Sequence, residues 1–172
     1  LERAMDRLCR AADEAISHGY SLLICSDRGV DADNGLITAL LATAGLHNHF
    51  VRERKRTRVG LILETAEARE GHHMALLLGY GAGANNPYLA LDTIKQMVAE
   101  GTMEADISEE DAIAHYLKGC KKATVKIMSK MGISTIQSYR GAQIFEAIGL
   151  SPDFIDHYFT YTASRIGGVG VE

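Results

Sequence analysis

The sequence predicts an α/β fold in which a parallel sheet is covered by helices. Two short apolar runs, Ser21–Cys25 and Arg58–Leu63, are typical of strands buried on both faces. Longer segments with apolar residues at helical spacing alternate with them. About four credible strands are too few to close a (β/α)₈ barrel, which needs roughly 200 residues or more. We therefore expect an open or incomplete barrel-like unit.

In the first half of the chain, helix and strand patterns alternate. Apolar residues from Met5 to Ile16 recur at helical spacing, and Gly19 ends that pattern. The stretch His72–Leu78 is too short for periodicity to separate helix from strand, and we interpret it as a strand or strand-like turn. The other predicted elements are a strand over 21–25, a loop over 26–34, a helix over 35–51 and a strand over 58–63.

Two strong helix starts mark the second half. Asn86-Pro87 combines a capping residue with a proline at the first helical position. Ser108 precedes three acids, Glu109–Asp111. The open amides and the dipole at the start of a helix favour a hydroxyl cap followed by acidic residues. We expect the lysines of this second helix to form a solvated flank. The remaining predicted elements are a strand over 132–136, a helix over 142–148, a helix over 151–159 and a glycine-rich loop or linker after 164.

Composition indicates a globular protein with a sizeable core. The 172 residues are 47% hydrophobic and 23% charged, which excludes a disordered chain and suits one domain. A net charge of −4 argues against nucleic acid as a partner. The apolar runs are far shorter than the roughly 20 residues of a membrane span, so we expect no membrane partner. Three dispersed cysteines, Cys9, Cys25 and Cys120, suggest neither a disulfide nor a metal site and indicate a reducing compartment.

The glycine loop Gly79–Ala84 matches the GxGxxG/A spacing of nucleotide-binding turns. Gly79, Gly81 and Gly83 would let backbone amides approach a phosphate at a helix start. The acid expected about 20 residues later would be Glu104 or Asp106, outside any clear strand. We interpret the loop as a tight turn between strand and helix. A small nucleotide- or phosphate-binding module using this loop is the alternative.

Several histidines and glutamates are ligand types for a metal, but no HExxH pattern is present. Adjacent His72 and His73 would point to opposite sides of a strand and would rarely serve one ion. We therefore predict no metal site and interpret these two histidines as structural. The other candidate ligands are His47, His49, Glu64, Glu67 and Glu70.

The loop that begins with Asp27 and Arg28 follows a predicted strand, where α/β proteins place binding residues. These side chains could bind a polar ligand, or they could fix their own turn. We expect Arg28 to bond backbone carbonyls or a nearby carboxylate, because its planar fork suits fixed partners. No GxSxG elbow or supported Cys/His pair occurs, so no catalytic residue is predicted.

Six segments together carry a family resemblance. They resemble, in order, the large subunit of glutamate synthase, from about Ser21 to Gly168. The similar part is the second half of that family's central domain. The segments are Ser26–Asp31, Glu67–Glu70 with His72-His73, Gly79–Ala82 with Asn86–Ala90, Lys126–Thr135, Gly141–Leu150 and Ser164–Gly168.

The resemblance implies an enzyme that converts glutamine and 2-oxoglutarate into two glutamates. The partners it implies are an amidotransferase domain and an FMN-binding domain with an iron–sulfur cluster. The resemblance provides no catalytic or cofactor-binding residue in this chain, and it implies a scaffold located in the cytoplasm, or in the plastid stroma for a plant-type enzyme. Residues 1–163 would be the domain segment and 164–172 a linker toward the FMN domain. Neighbouring domains would leave apolar surface exposed on the helix from Ser108 and on the tail.

Overall fold

The structure, a computed structural model, describes residues 1–103 and 106–171. Helices and strands alternate over most of these residues. The helices are α1 (Glu2–Ser17), α2 (Ala39–Arg52), α3 (Gly71–Gly79), α4 (Tyr88–Ala99), α5 (Glu109–Lys130), α6 (Ile136–Tyr139) and α7 (Pro152–Tyr158). The strands are β1 (Leu22–Ser26), β2 (Gly60–Glu64), β3 (Ala84–Asn86), β4 (Glu146–Leu150) and β5 (Ala163–Val169).

The strands form two parallel sheets. One has the order β1-β2-β3, and the other pairs β4 with β5. The predicted α/β class with parallel strands is confirmed, and the described residues form no closed barrel. No helix among the described residues is both long and apolar enough to cross a membrane.

The core lies between the first sheet and the helices that pack on it. Leu46 and Phe50 of α2 meet Leu61 of β2, and all three side chains are fully buried. Side chains from α7, including Phe154 and Tyr158, form a second cluster with α1 and α2. These contacts attach both sheets to the same helices.

Strand β1 is half exposed, although its apolar sequence predicts burial on both faces. Leu23 and Cys25 pack against the core, whereas Leu22 and Ile24 are 63% and 67% exposed. Leu22 and Ile24 lie two positions apart and so share one face of the strand, and their exposure shows that this face is not covered. The prediction of two covered faces is wrong for this strand.

The stretch over residues 72–78, predicted as a strand, lies in helix α3. Its residues are apolar on nearly every side because α3 packs against α2, α5 and α6. A helix that is buried all round loses the amphipathic period on which the sequence reading depends. That prediction is wrong.

The carboxyl-terminal region reverses two further predictions. Residues 142–148, predicted as a helix, lead into strand β4, and Gln143 has the left-handed φ of 55°. The tail, predicted as a loop, contains strand β5. A Cβ at Gly168 would collide with the backbone of Gly149, so this glycine permits close approach of two strands rather than marking a loop. Whether the tail also connects to another domain stays a prediction.

The remaining boundaries are partly as predicted. Ser108 caps α5 by accepting a hydrogen bond from the Asp111 amide, as expected. The predicted strand over 132–136 is wrong, since Thr135 instead caps the short helix α6. Asn86 is not a helix cap either, because it is the last residue of β3.

Candidate functional site

The carboxyl ends of β1, β2 and β3 bring three polar residues into one row. Ser26, Glu64 and Asn86 end their strands and are direct register partners across the sheet. This edge is where open α/β sheets bind ligands. It is therefore the candidate functional site, and we call its polar side chains the carboxyl-edge network.

Glu64 is the centre of the carboxyl-edge network. Its carboxylate accepts hydrogen bonds from the Ser26 hydroxyl at 2.6 Å and from the Asn86 amide at 3.2 Å. Arg28 Nε lies 2.9 Å from Glu64 Oε1. The hydrogen bonds from Ser26 and then Arg28 lower the pKa of Glu64, which is therefore ionised at neutral pH.

Arg28 is fixed from two directions. In addition to its ion pair with Glu64, its guanidinium carbon lies 3.9 Å from the centre of the Tyr88 ring. The hydrogen bond to Glu64 raises the pKa of Arg28. Of the two partners expected from the sequence, backbone carbonyls or a nearby carboxylate, the structure has the carboxylate.

Asp27 ties the end of β1 to the loop after β2. Its carboxylate accepts a hydrogen bond from the Thr65 hydroxyl at 2.7 Å and from the Ala66 amide at 3.0 Å. A hydrogen bond with Asp27 also raises the pKa of Tyr88. Asp27 and Arg28 thus connect the end of β1 to the end of β2 and the loop after it, while binding of a polar ligand or a role in the turn stays a prediction for both.

A cavity of about 460 Å³ lies beside this edge, under the loop that follows β1. Much of its lining is apolar and includes Ile24, Leu36 and Leu63. Its polar lining includes Asp27 and Glu64, whose carboxylates are already bonded within the network. The arrangement holds strand ends together and leaves these two carboxylates poorly placed to act as free acids or bases.

The glycine loop lies between α3 and β3, so the predicted passage from strand to helix is wrong. Its amides donate inward: Gly81 to Leu78, Ala82 to Leu77, and Gly83 to Leu61 at 2.7 Å. A phosphate site needs such amides free to donate. Glu104, one of the two acids considered for such a site, lies outside the described residues.

Two arginines and a histidine hold the glycine loop at the amino ends of β2 and β3. Arg56 donates to the carbonyls of Val59 and Gly81, each at 2.8 Å, and to His47 Nδ1 at 2.9 Å. Arg140 donates to the Ala82 carbonyl at 3.0 Å. Burial, together with the charges of Arg56 and Arg140, lowers the pKa of His47 to about 4.

The other histidines of the sequence analysis do not converge. His49 lies 2.8 Å from Asp13, while His73 accepts a hydrogen bond from the Arg69 amide at 3.1 Å, and His72 is exposed. Glu67 accepts a hydrogen bond from the first amide of α2. Within the described residues, no group of three or more His, Cys, Asp or Glu side chains is placed to hold a metal ion.

Sequence reasoning missed the roles of Glu64, Asn86 and Tyr88. Glu64 was considered only as a metal ligand, and Asn86 only as a helix cap. For Glu64 the available signal was its position directly after the predicted strand over 58–63, whereas Asn86 ends a strand that the sequence does not predict. Tyr88 carried no comparable signal.

A family model described as "Glutamate synthase central domain" matches residues 1–151. The chain is 52% identical over 172 residues to the glutamate synthase [NADPH] large chain of Bacillus subtilis, covering all of this chain and 11% of that protein. It is 44% identical over 169 residues to the glutamate synthase [NADH] of Schizosaccharomyces pombe, covering 98% of this chain and 8% of that one. Its identity to the ferredoxin-dependent, chloroplastic glutamate synthase of Spinacia oleracea is 37%, covering all of this chain and 11% of that protein. The chain thus spans about a tenth of the length of these relatives.

Among solved structures, the fold is similar to part of a flavocytochrome b2 variant with sulfite bound. The TM-score is 0.59 at 13% identity, over 78% of this chain and 32% of that one. This likeness concerns the fold alone.

Proposed function

Because the chain belongs to the glutamate synthase central domain family, we propose that it is a non-catalytic scaffold in a longer glutamate synthase polypeptide. It packs between an amidotransferase domain and an FMN-binding domain. That enzyme uses glutamine, 2-oxoglutarate and two electrons to make two glutamates, in the cytoplasm or, for a plant-type enzyme, in the plastid stroma. The role of this segment is to hold those domains in position.

The carboxyl-edge network carries this proposal. Asp27, Arg28 and Glu64 occupy the edge at which an α/β sheet would bind a substrate, and they bond one another, the backbone or neighbouring side chains. Groups that are already paired contribute to the stability of the fold, whereas catalytic acids and bases need a proton-transfer path to substrate.

Exposed apolar side chains on the strands support the interdomain role. In addition to Leu22 and Ile24 of β1, Ile166 and Val169 of β5 are 58% and 70% exposed. Leu22 and Ile24, two positions apart, share one face of β1, and adjacent exposed apolar side chains are typical of contact regions. The sequence predicts such surface on the helix from Ser108 and on the tail. The tail contains the exposed β5 residues, and on α5 the side chain of Val125 is 64% exposed.

FMN and the iron–sulfur cluster are proposed to belong to other segments of the polypeptide. An FMN phosphate needs free amides or a cationic side chain. The amides of the glycine loop donate hydrogen bonds to carbonyls, and the neighbouring Arg56 and Arg140 donate to carbonyls as well. Cys9, Cys25 and Cys120 lie on three different elements, and burial raises the pKa of Cys9 and of Cys25. Within the described residues these thiols do not converge, whereas a typical cluster needs four cysteine ligands around it.

Ligand titration of the 172-residue chain tests this part of the proposal. We expect a colourless protein whose thermal unfolding is unchanged by FMN, NAD, NADP or ADP. It should form no glutamate from glutamine and 2-oxoglutarate. A binding site would instead stabilise the fold by about 2.7 kcal/mol at a hundredfold excess of ligand over its Kd. Stoichiometric FMN in the purified protein, or saturable stabilisation by any of the four, would contradict the proposal and favour Gly79, Gly81 and Gly83.

A further inference from the structure

The exposed side of α5 carries a row of lysines. Lys118, Lys122, Lys126 and Lys130 follow one another at four-residue intervals, Lys121 lies beside them, and all five are exposed. Residues 112–130 contain no aspartate or glutamate. The ion pairs found among the described residues include none of these five side chains. We call this surface the α5 lysine face.

The lysine row destabilises α5 when the helix stands alone in water. Residues four positions apart are neighbours on a helix, so the row contains three successive like-charge pairs. The helix dipole favours cations only within the last turn, where the only lysine is Lys130. The dipole therefore does not account for Lys118, Lys121 and Lys122.

Two residues that lie beside the lysines, Gly119 and Val125, are also unfavourable for an isolated α5. Gly119 is exposed in the helix interior, its φ is not left-handed, and a Cβ there would have no atom within 4 Å. Alanine would therefore stabilise this turn. Val125 exposes 64% of its surface between the lysines. Residues that are unfavourable for the isolated fold, such as Gly119 and Val125, are expected at functional surfaces.

We propose that the α5 lysine face docks an aspartate- and glutamate-rich protein surface that lies outside these 172 residues. Partner carboxylates would relieve the repulsion along the row by pairing with Lys118, Lys122 and Lys126. The missing side chain at Gly119 allows a partner backbone to approach closely. Val125 provides an apolar contact within the charged surface.

The composition of α5 favours this partner over a nucleic acid or a lipid surface. The helix contains no arginine, the residue best suited to bidentate phosphate contacts. Its apolar stripe packs against α3 and α4, so the exposed large apolar side chains of this helix are only Leu117 at 38% and Val125 at 64%. An interfacial membrane helix needs a broad exposed apolar face.

The partner's place in the same assembly rests on the proposed function, but the chemistry of the surface rests on α5 alone.

The test uses the native full-length polypeptide. Lysines are acetylated under native conditions, and a zero-length carbodiimide is used in parallel to join lysines to carboxylates in direct contact. Mass spectrometry then locates both products.

We expect the α5 lysines to be acetylated about tenfold more slowly than Lys95, when each rate is divided by the rate of the same lysine in the denatured protein. A tenfold reduction corresponds to a surface that is covered roughly nine-tenths of the time. Lys95 is a suitable reference because it is partly exposed and paired only within the chain. The carbodiimide should join the α5 lysines to aspartates or glutamates outside residues 1–172. Replacing Lys118, Lys122 and Lys126 by glutamine should leave at most the cross-links made by Lys121 and Lys130.

A matched control replaces Arg3, Arg7 and Arg10 of α1 by glutamine, because these exposed arginines share their helix with acids. That variant should retain the cross-links. Full reactivity of the α5 lysines without cross-links, or cross-links only to a second copy of this chain, would overturn the inference. Cysteines placed at Leu22 and Ile24 in the same preparation separate the inference from the proposed function. If these cysteines are shielded, the proposed function stands even though the inference fails. If they are not shielded, both fail.

Discussion

Gly81→Ala is expected to destabilise the chain by roughly 2–4 kcal/mol. Gly81 has a φ of +118°, which side-chain-bearing residues rarely adopt. A Cβ there would lie 2.5 Å from Nδ1 of His47. That ring cannot easily move, because Nδ1 also accepts the hydrogen bond from Arg56. Strain and overpacking therefore act together at one position.

Urea unfolding of the isolated chain measures this effect as a shift of the midpoint at constant slope. Gly119→Ala is the matched control, since Gly119 combines open space with an ordinary helical backbone. It should stabilise α5 by about 0.5–1 kcal/mol. A Gly81→Ala midpoint equal to that of the unsubstituted chain would show that the glycine loop is not held as described.

Acidification is expected to destabilise the chain through His47. The pKa of His47 is about 4 in the folded state, against 6.5 for an ordinary histidine. Between these values the unfolded state binds more protons, so stability is fully present above pH 6.5 and is lost as the pH falls toward 4. The loss attributable to His47 is at most about 3 kcal/mol.

His47→Gln isolates this contribution, because glutamine offers Arg56 a neutral acceptor at every pH. The variant should lose less stability than the unsubstituted chain between pH 6.5 and 4. His18→Gln is the control, because it removes an exposed histidine from the turn after α1. Identical pH profiles for the unsubstituted chain and His47→Gln would exclude His47 as the source.

The sequence was sufficient for the elements whose signals are local. Apolar spacing with a glycine stop located α1, and the Ser108 cap with its acids located α5. The parallel α/β class followed from apolar runs between helices. These signals depend on a few consecutive residues and on the chemistry of helix ends.

Elements defined by distant contacts were missed. Helix α3 lacks a period because it is buried on nearly every side, and β5 contains glycines because β4 approaches it closely. In the site, Asp27 and Arg28 could be selected from their place after a strand. Glu64 could not be chosen as the partner of Arg28, because the pairing depends on the register of β1 with β2, which sets Ser26 beside Glu64, 38 residues further along the chain.

The central claim is that the carboxyl-edge network stabilises the fold and takes no part in the reaction. Glu64→Gln in the full-length polypeptide tests it most directly, because the substitution removes the charge at the centre of the network while keeping its shape. We measure the urea midpoint together with kcat and KM for glutamine and 2-oxoglutarate. The account predicts a lower midpoint with kcat and KM unchanged within about twofold. A fall in kcat of about a hundredfold or more at an unchanged midpoint, as for the loss of a general acid or base, would contradict it.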